Sequence, residues 1–368
     1  MAKPQFRRYK RSFAELDGWA KEDHVSALTV FALLTQAKKS MPSTRALGID
    51  GGVLAELARK AARLDRQNGS VARAFFETYF EPVEYAAVDA QHSPFTGFLT
   101  GYFEPEVKAS WTRTAEFPIP IYRRPHDLID LDDKNRPDTF PNDYRFGRLI
   151  DGKIAPYFDR RQINAGALDG LNLELAYVSD LTTAFFVHVQ GAGRLIFDDG
   201  TTQRITFAAK AGHPYTSLGA VLCDMLDMPR EDMTADFLAH WMRSNPDRLK
   251  DFLAHNRSYI FFEEENQSRP DQGPVAAAKL PLVPGRSIAV DRTLHTFGTP
   301  IWVATQKPLP DENAPLRRLM IAHDTGSIIQ GVQRGDYFAG SGDAAGSVAG
   351  RMLNTCSMVV LKPRHCGE

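Results

Sequence analysis

The sequence predicts a mainly β protein with helical segments, an α+β chain large enough for two domains, on three observations. Helix-period apolar spacing is confined to the first hundred residues and to 217–255. Short aromatic and β-branched runs, punctuated by proline and glycine, fill most of the remainder. A polar stretch, Glu263 to Gly273, separates two such β-rich blocks and is expected to be an exposed boundary.

Asp23 is placed to cap a first helix, in which Val25, Leu28, Phe31 and Leu34 recur at three-residue spacing. A second helix, about Val53 to Arg66, gathers Leu54, Leu57 and Ala61 on one face. A third, near Val71 to Phe80, carries Phe75, Phe76 and Tyr79, aromatics expected to pack in a core. Phe95 to Phe103 then reads as strand, with Pro105 bending its end. Pro118 to Tyr122 is a short strand among proline-rich loops. Ala184 to Ala209 reads as a hairpin: Phe185, Val187 and Val189 alternate on one arm, Asp199-Gly200 turns, and Ile205 and Phe207 follow. Helices return between Ser217 and His255 as a pair. Asn245-Pro246 supplies a cap and first position ahead of the stripe Leu249, Phe252 and Leu253. Strands resume at Ser287–Val290, Pro300–Thr305, Leu319–His323 and Met358–Leu361.

Composition excludes several classes. Of 368 residues, 43% are hydrophobic and 24% charged, the balance of a globular chain. Lysine plus arginine (44) nearly equal aspartate plus glutamate (45), so nucleic acid is not an expected partner. Cys223, Cys356 and Cys366 form neither a disulfide framework nor a zinc-site pattern, and no metal is expected. The start is basic through Lys3, Arg7, Arg8, Lys10 and Arg11, but no apolar run follows, so a secretory signal is not visible. Neither a lipid-bearing cysteine near the start nor a bilayer-length apolar run is present, and the chain reads as soluble.

Two acidic segments stand out. His323-Asp324-Thr325-Gly326 follows the apolar run Leu319 to Ala322, which presents a carboxylate where a buried strand runs into a turn. Asp-Thr-Gly is also the aspartic-protease signature, but that chemistry needs two such carboxylates sharing a proton and only one copy exists. Twelve residues on, Arg334-Gly335-Asp336-Tyr337-Phe338 reads as a glycine-flanked loop. Its aromatics offer sugar-stacking faces and a low-dielectric wall that raises a carboxyl pKa, as a general acid requires. The Leu99 to Pro105 segment and His188-Val189-Gln190-Gly191-Ala192-Gly193-Arg194 complete the set. The latter offers an amide and a cation at a strand end, lacks GxGxxG and a P-loop lysine, and so gives no nucleotide site. His188 is expected to be a satisfied partner in a sheet.

Taken together, Leu99–Pro105, Phe185–Arg194, Lys210–Gly219, Gly285–Arg292, Leu319–Gly331 and Gly335–Gly350 keep the order found in one family. Over roughly residues 90 to 362 the chain resembles the membrane-bound lytic murein transglycosylase A family. The resemblance implies a split domain, 1–104 with 273–368, comprising the helical start and a double-psi β-barrel. An inserted β-rich domain, 105–272, carries the helical pair, and a substrate groove lies between the two. It implies Asp336 as catalytic acid and base, Asp324 as a supporting acid, and Thr100, Gly101, Tyr102, Gln190 and Gly191 as substrate contacts. Ser327 stands where a second glycine is usual, and Phe103 replaces a common tyrosine.

The implied reaction cleaves the bond from N-acetylmuramic acid to N-acetylglucosamine in peptidoglycan and closes a 1,6-anhydro sugar, with no cofactor. A monomer in the periplasm or at the outer-membrane periphery is expected. A hydrolase on the same barrel, with Asp324 as base, and a non-catalytic wall-binding module are the alternatives.

Overall fold

A computed structural model describes residues 6–36, 45–87, 96–141, 144–266 and 272–364. The chain divides into two compact units, Met1–Phe103 with Ser268–Glu368, and Glu104–Gln267.

The first unit opens with strand β1 (Phe6–Lys10) and three capped helices. In α1 (His24–Ala32) the Asp23 carboxylate accepts the Ser26 N–H. In α2 (Gly51–Ala62) Asp50 accepts from Gly52 and Val53, and in α3 (Gly69–Tyr79) Asn68 accepts from Ser70 and Val71. Each cap satisfies N–H groups that the first turn cannot pair internally. The expected apolar faces are the buried ones: Leu28 and Phe31; Leu54, Leu57 and Ala61; Phe75 and Phe76. They form one core with Trp19, Phe80 and Trp302. Strands β2 (Phe80–Ala87) and β3 (Gly97–Glu104) follow; Phe95 lies outside the described residues.

The second unit holds β4 (Glu106–Ser110), β5 (Ile119–Tyr122), β6 (Leu128–Asp130), β7 (Phe146–Ile150), β8 (Lys153–Ala155), α4 (Arg160–Asn164) and β9 (Glu174–Val178). Next come α5 (Leu181–Gln190), β10 (Ala192–Phe197) and β11 (Thr202–Lys210). Three helices, α6 (Leu218–Leu226), α7 (Ala235–Ser244) and α8 (Pro246–Ala254), precede β12 (Ile260–Glu265). One sheet orders as β12-β11-β10-β4-β9-β5 and a second as β6-β7-β8.

Several expectations are corrected here and in the last segment. The Phe185–Val189 arm is helix α5, because a short apolar run fits either period and Asp180 caps it by accepting the Thr183 N–H. The hairpin is β10–β11 around Asp199-Gly200, and His188 sits on the helix. The helical pair is a trio, and Asn245 makes no capping bond, since its amide donates to the Trp241 carbonyl instead. Glu263 to Glu265 extend strand β12, paired with β11, rather than opening a loop.

Within the second unit, Glu104 is fully buried and takes a two-pronged contact from Arg204, Nε at 2.5 Å and Nη2 at 3.1 Å, plus Arg194 at 3.3 Å. A charge so placed depends on its partners, because water no longer solvates it.

The last segment returns to the first unit as β13 (Ser287–Val290), β14 (Pro300–Pro308), β15 (Pro315–Asp324), β16 (Arg334–Ser341), α9 (Gly342–Gly350) and β17 (Leu353–Pro363). The order β17-β14-β15-β13-β16-β3 returns to β17 through a direct β3–β17 pairing. Six strands thus close a ring, as a small barrel requires. Leu99, Ile288, Val290, Ile301, Val303, Met320 and Met358 form a core from its strands. The glycine-flanked loop expected around Asp336 is strand β16, since Ile288, Ala289 and Val290 pair with Tyr337, Asp336 and Gly335.

Cys223 and Cys356 are buried free thiols, and Cys366 lies outside the described residues. Among the described residues no helix is long and apolar enough to cross a membrane.

Replacing Glu104 with Gln removes the carboxylate that the buried Arg204 pairs with, while Arg194 keeps Glu106 at 2.9 Å. Urea unfolding should show a loss of about 3–5 kcal/mol, whereas Glu263→Gln on the exposed side of β12 should be nearly neutral.

Candidate active site

Strand register brings the two acids together. Ala289 on β13 pairs with Asp324 on β15 on one side and with Asp336 on β16 on the other. Residues directly opposite share a face of the sheet, so both carboxyls flank one small, buried methyl group. On β3, Phe98, Thr100 and Tyr102 alternate onto one face while Leu99, Gly101 and Phe103 take the other. The Thr100 hydroxyl donates to Asp336 Oδ1 at 2.5 Å, and the Tyr102 hydroxyl donates to Asp324 Oδ2 at 3.0 Å.

Thr100 is fixed in this role by Arg334. The guanidinium, which can only donate, gives a hydrogen bond to Thr100 Oγ1 at 2.7 Å. The hydroxyl proton is then directed to Asp336 Oδ1, which leaves Oδ2 of the acid for a ligand. Arg334 itself lies 5.5 Å from the Phe98 ring centre.

Burial pushes the Asp336 carboxyl up to about 6; the Thr100 hydrogen bond and the Arg334 charge oppose this, and the Asp324 charge adds to it. Burial also raises Asp324, against the pull of the Ala277 and Thr325 N–H groups, the Tyr102 hydroxyl and the Lys279 charge. The Ala277 N–H donates to Asp324 Oδ1 at 3.1 Å. Tyr102 is held neutral, raised by burial and the nearby acids, and packs on Phe338 with ring centres 5.3 Å apart. Behind Asp324, His323 is buried, lowered to about 4, and bonded through Nδ1 to Ser287 Oγ at 3.0 Å. It is a neutral structural group.

The structure thus gathers Asp336, Asp324, Thr100 and Tyr102 from distant sequence positions. Gly101 lies between them on the opposite face, where a Cβ would come within 2.7 Å of Met352 Sδ and 2.8 Å of Ala349 Cα. Its lack of a side chain is explained by close packing against α9. Phe103 shares that face and touches Gly346, so the hydroxyl of a tyrosine there would not point toward the acids. Gln190 and Gly191 belong to the second unit. Gln190 ends α5, and Gly191 terminates it at φ +71°, with open space where its Cβ would be. His188, on the same helix, accepts from the buried Arg160 at 3.1 Å.

Sequence reasoning missed Arg334 and Ala289. Arg334 precedes Asp336 by two positions, so a strand reading of the segment would have placed both on one face. Ala289 carries no chemistry, and only strand register reveals it. Among the described residues no cluster of metal-ligating side chains occurs.

The fold and this site define a 3D-domain protein carrying an insert. The model of the MltA specific insert domain matches residues 98–263, and that of the 3D domain matches residues 286–362. A crystal structure of membrane-bound lytic murein transglycosylase from Agrobacterium tumefaciens is 41% identical, with a TM-score of 0.88 over 97% of this chain and 98% of that one. MltA from Neisseria gonorrhoeae, in a monoclinic crystal form, is 32% identical, with a TM-score of 0.80 over 98% and 94%. The Escherichia coli K12 membrane-bound lytic murein transglycosylase A is 34% identical over 259 residues. That match takes in 68% of this chain but spans only 62% of the curated relative's length. The chain belongs to the membrane-bound lytic murein transglycosylase A family.

An acid raised by burial penalises the folded state once it ionises. Its contribution is fully present below the unfolded carboxyl pKa near 3.8 and is lost as pH rises through about 6. Asp336→Asn should therefore be more stable than the parent at pH 8, by roughly 3 kcal/mol, and should match it at pH 3. Thermal melts at the two pH values check this.

Proposed function

We propose that this chain is a lytic transglycosylase. It cleaves the β-1,4 bond from N-acetylmuramic acid to N-acetylglucosamine in peptidoglycan, with Asp336 as its single acid and base. The observation that carries this reading is the Asp336 carboxyl itself. It is held near pKa 6 by burial, hydrogen-bonded on Oδ1, and left with Oδ2 to handle a proton. Membership of the family supports the substrate and the bond.

In the proposed sequence the proton on Asp336 Oδ2 passes to the glycosidic oxygen as the bond to the muramyl anomeric carbon breaks. The departing N-acetylglucosamine leaves with that proton as its 4-hydroxyl. Positive charge develops on the muramyl ring, near the Asp336 carboxylate just formed and near Asp324. The muramyl 6-hydroxyl then bonds to the anomeric carbon, and Asp336 takes back the hydroxyl proton. Atoms balance without water, and the product ends in a 1,6-anhydro ring. Ring closure competes with solvent because the attacking hydroxyl is already tethered, an advantage worth about 7–11 kcal/mol at most.

Asp324 has a supporting role. With its charge on one side and burial around it, it keeps the Asp336 proton in place and stabilises the developing cation. Thr100 and Tyr102 orient the two acids and, with Gly101, Gln190 and Gly191, are assigned as glycan contacts on the strength of the family resemblance. The protein is proposed to act as a monomer, without metal or cofactor. Relatives named as membrane-bound support a location in the periplasm or at the outer-membrane periphery.

Asp336→Asn should fold and lose about 10²–10⁴-fold in release of soluble fragments from sacculi, while Asp324→Asn should be slowed less. Parent activity should fall as pH rises through about 6, where the acid loses its proton. Mass spectrometry of the fragments should find anhydro ends, one water lighter than reducing ends. Reducing ends would establish hydrolysis instead, and an undiminished Asp336→Asn would remove the assignment.

A further inference from the structure

Residues Gly273 to Leu282 form a small hairpin whose tip reaches the acids. Gly273 N–H donates to the Leu282 carbonyl, Leu282 N–H to Pro274, and Ala276 N–H to Leu280. At the tip, Lys279 N–H closes a four-residue turn on the Ala276 carbonyl. Ala277 within that turn donates to Asp324 Oδ1 at 3.1 Å, and Ala278 donates to the His323 carbonyl at 3.0 Å. A turn of this kind followed by a left-handed residue is a common hairpin closure, and glycine is its natural occupant.

Here the left-handed residue is Lys279, at φ +61°. Among the described residues, the others with positive φ besides glycine are Asp151, Asn172, Asp227 and Asp311, all of the two types that tolerate the conformation through local hydrogen bonding. Lysine has no such relief. A long cation is thus kept at a position that disfavours it, two residues from a direct contact with Asp324. Strain held beside reactive groups is a reason to ask what the side chain does.

Its surroundings narrow the answer. Lys279 is exposed, and among the described residues its ammonium pairs with no carboxylate within ion-pair distance. Arg334, the cation that acts on Asp336, is engaged with Thr100. Two carboxyls sharing a site repel an anionic ligand, and a free ammonium at their rim offsets that repulsion. We propose that Lys279 is a specificity residue that binds a carboxylate carried by the muramyl residue, either on its lactyl group or on its stem peptide. This rests on the activity proposed above and names the feature of the substrate that the site selects.

Binding would be measured in an Asp336→Asn background, which blocks turnover. Three ligands are compared: glycan strands bearing stem peptides, strands stripped by an amidase to free lactyl carboxylates, and neutral chitohexaose. Adding Lys279→Gly, which suits the turn and should not lower the melting temperature, is expected to weaken binding of carboxylate-bearing strands by about 5–10-fold. Chitohexaose affinity should stay unchanged, Lys279→Arg should restore binding, and salt should shrink the difference. Loss on the amidase-stripped strand alone assigns the lactyl carboxylate, loss on the stem-bearing strand alone assigns the peptide, and loss on both shows that Lys279 accepts a carboxylate at either place. Equal loss on all three ligands, or none on any, overturns the proposal. A parent protein that releases no anhydro fragments defeats the proposed activity, whatever the Lys279 comparison shows.

Discussion

The chemistry of this protein depends on a carboxyl group taken out of water without a full countercharge. Arg334 could have neutralised Asp336 by a direct pair, which would have driven its pKa far down. Instead the guanidinium reaches the acid through the Thr100 hydroxyl. An inserted hydroxyl orients the carboxyl while passing on only part of the cation's attraction, so burial prevails and the group keeps its proton up to about pH 6. Asp324 pushes the same way across Ala289. A side chain larger than alanine between them would separate the acids and weaken that push.

The fold serves this arrangement by register. Asp324 ends one strand, Asp336 lies in the second, and Thr100 and Tyr102 come from a third that is more than two hundred residues away in sequence. Backbone ladders hold such positions within tight limits because a slip of one residue turns every side chain to the opposite face. Gly101 adds to this precision: its bare backbone lets α9 lie close beneath β3, so the strand is pinned from behind while its other face carries the hydroxyls.

Much of this was legible in the sequence. The three opening helices were readable because cap residues and apolar spacing agree in each. Both acids were recognisable from their motifs. What failed did so for identifiable reasons. Phe185 to Val189 is five residues of a run that satisfies either periodicity, and the cap at Asp180 decides it only once the backbone is seen. Glycines around Asp336 suggested a loop, yet Gly335 sits in a ladder where a Cβ would meet the Ile288 side chain at 2.6 Å, so it is there for packing. Arg334 and Ala289 were hidden because cross-strand neighbours leave no mark in linear spacing.

The strand ring also orders events during synthesis. β17 completes it by pairing with both β14 and β3, so no closed ring exists until residue 363 has left the ribosome. Until that final strand arrives, β3 lacks one of its two neighbours and its hydroxyls have no fixed place to stand. The ring that carries both acids and both hydroxyls is therefore completed only once that last strand has docked.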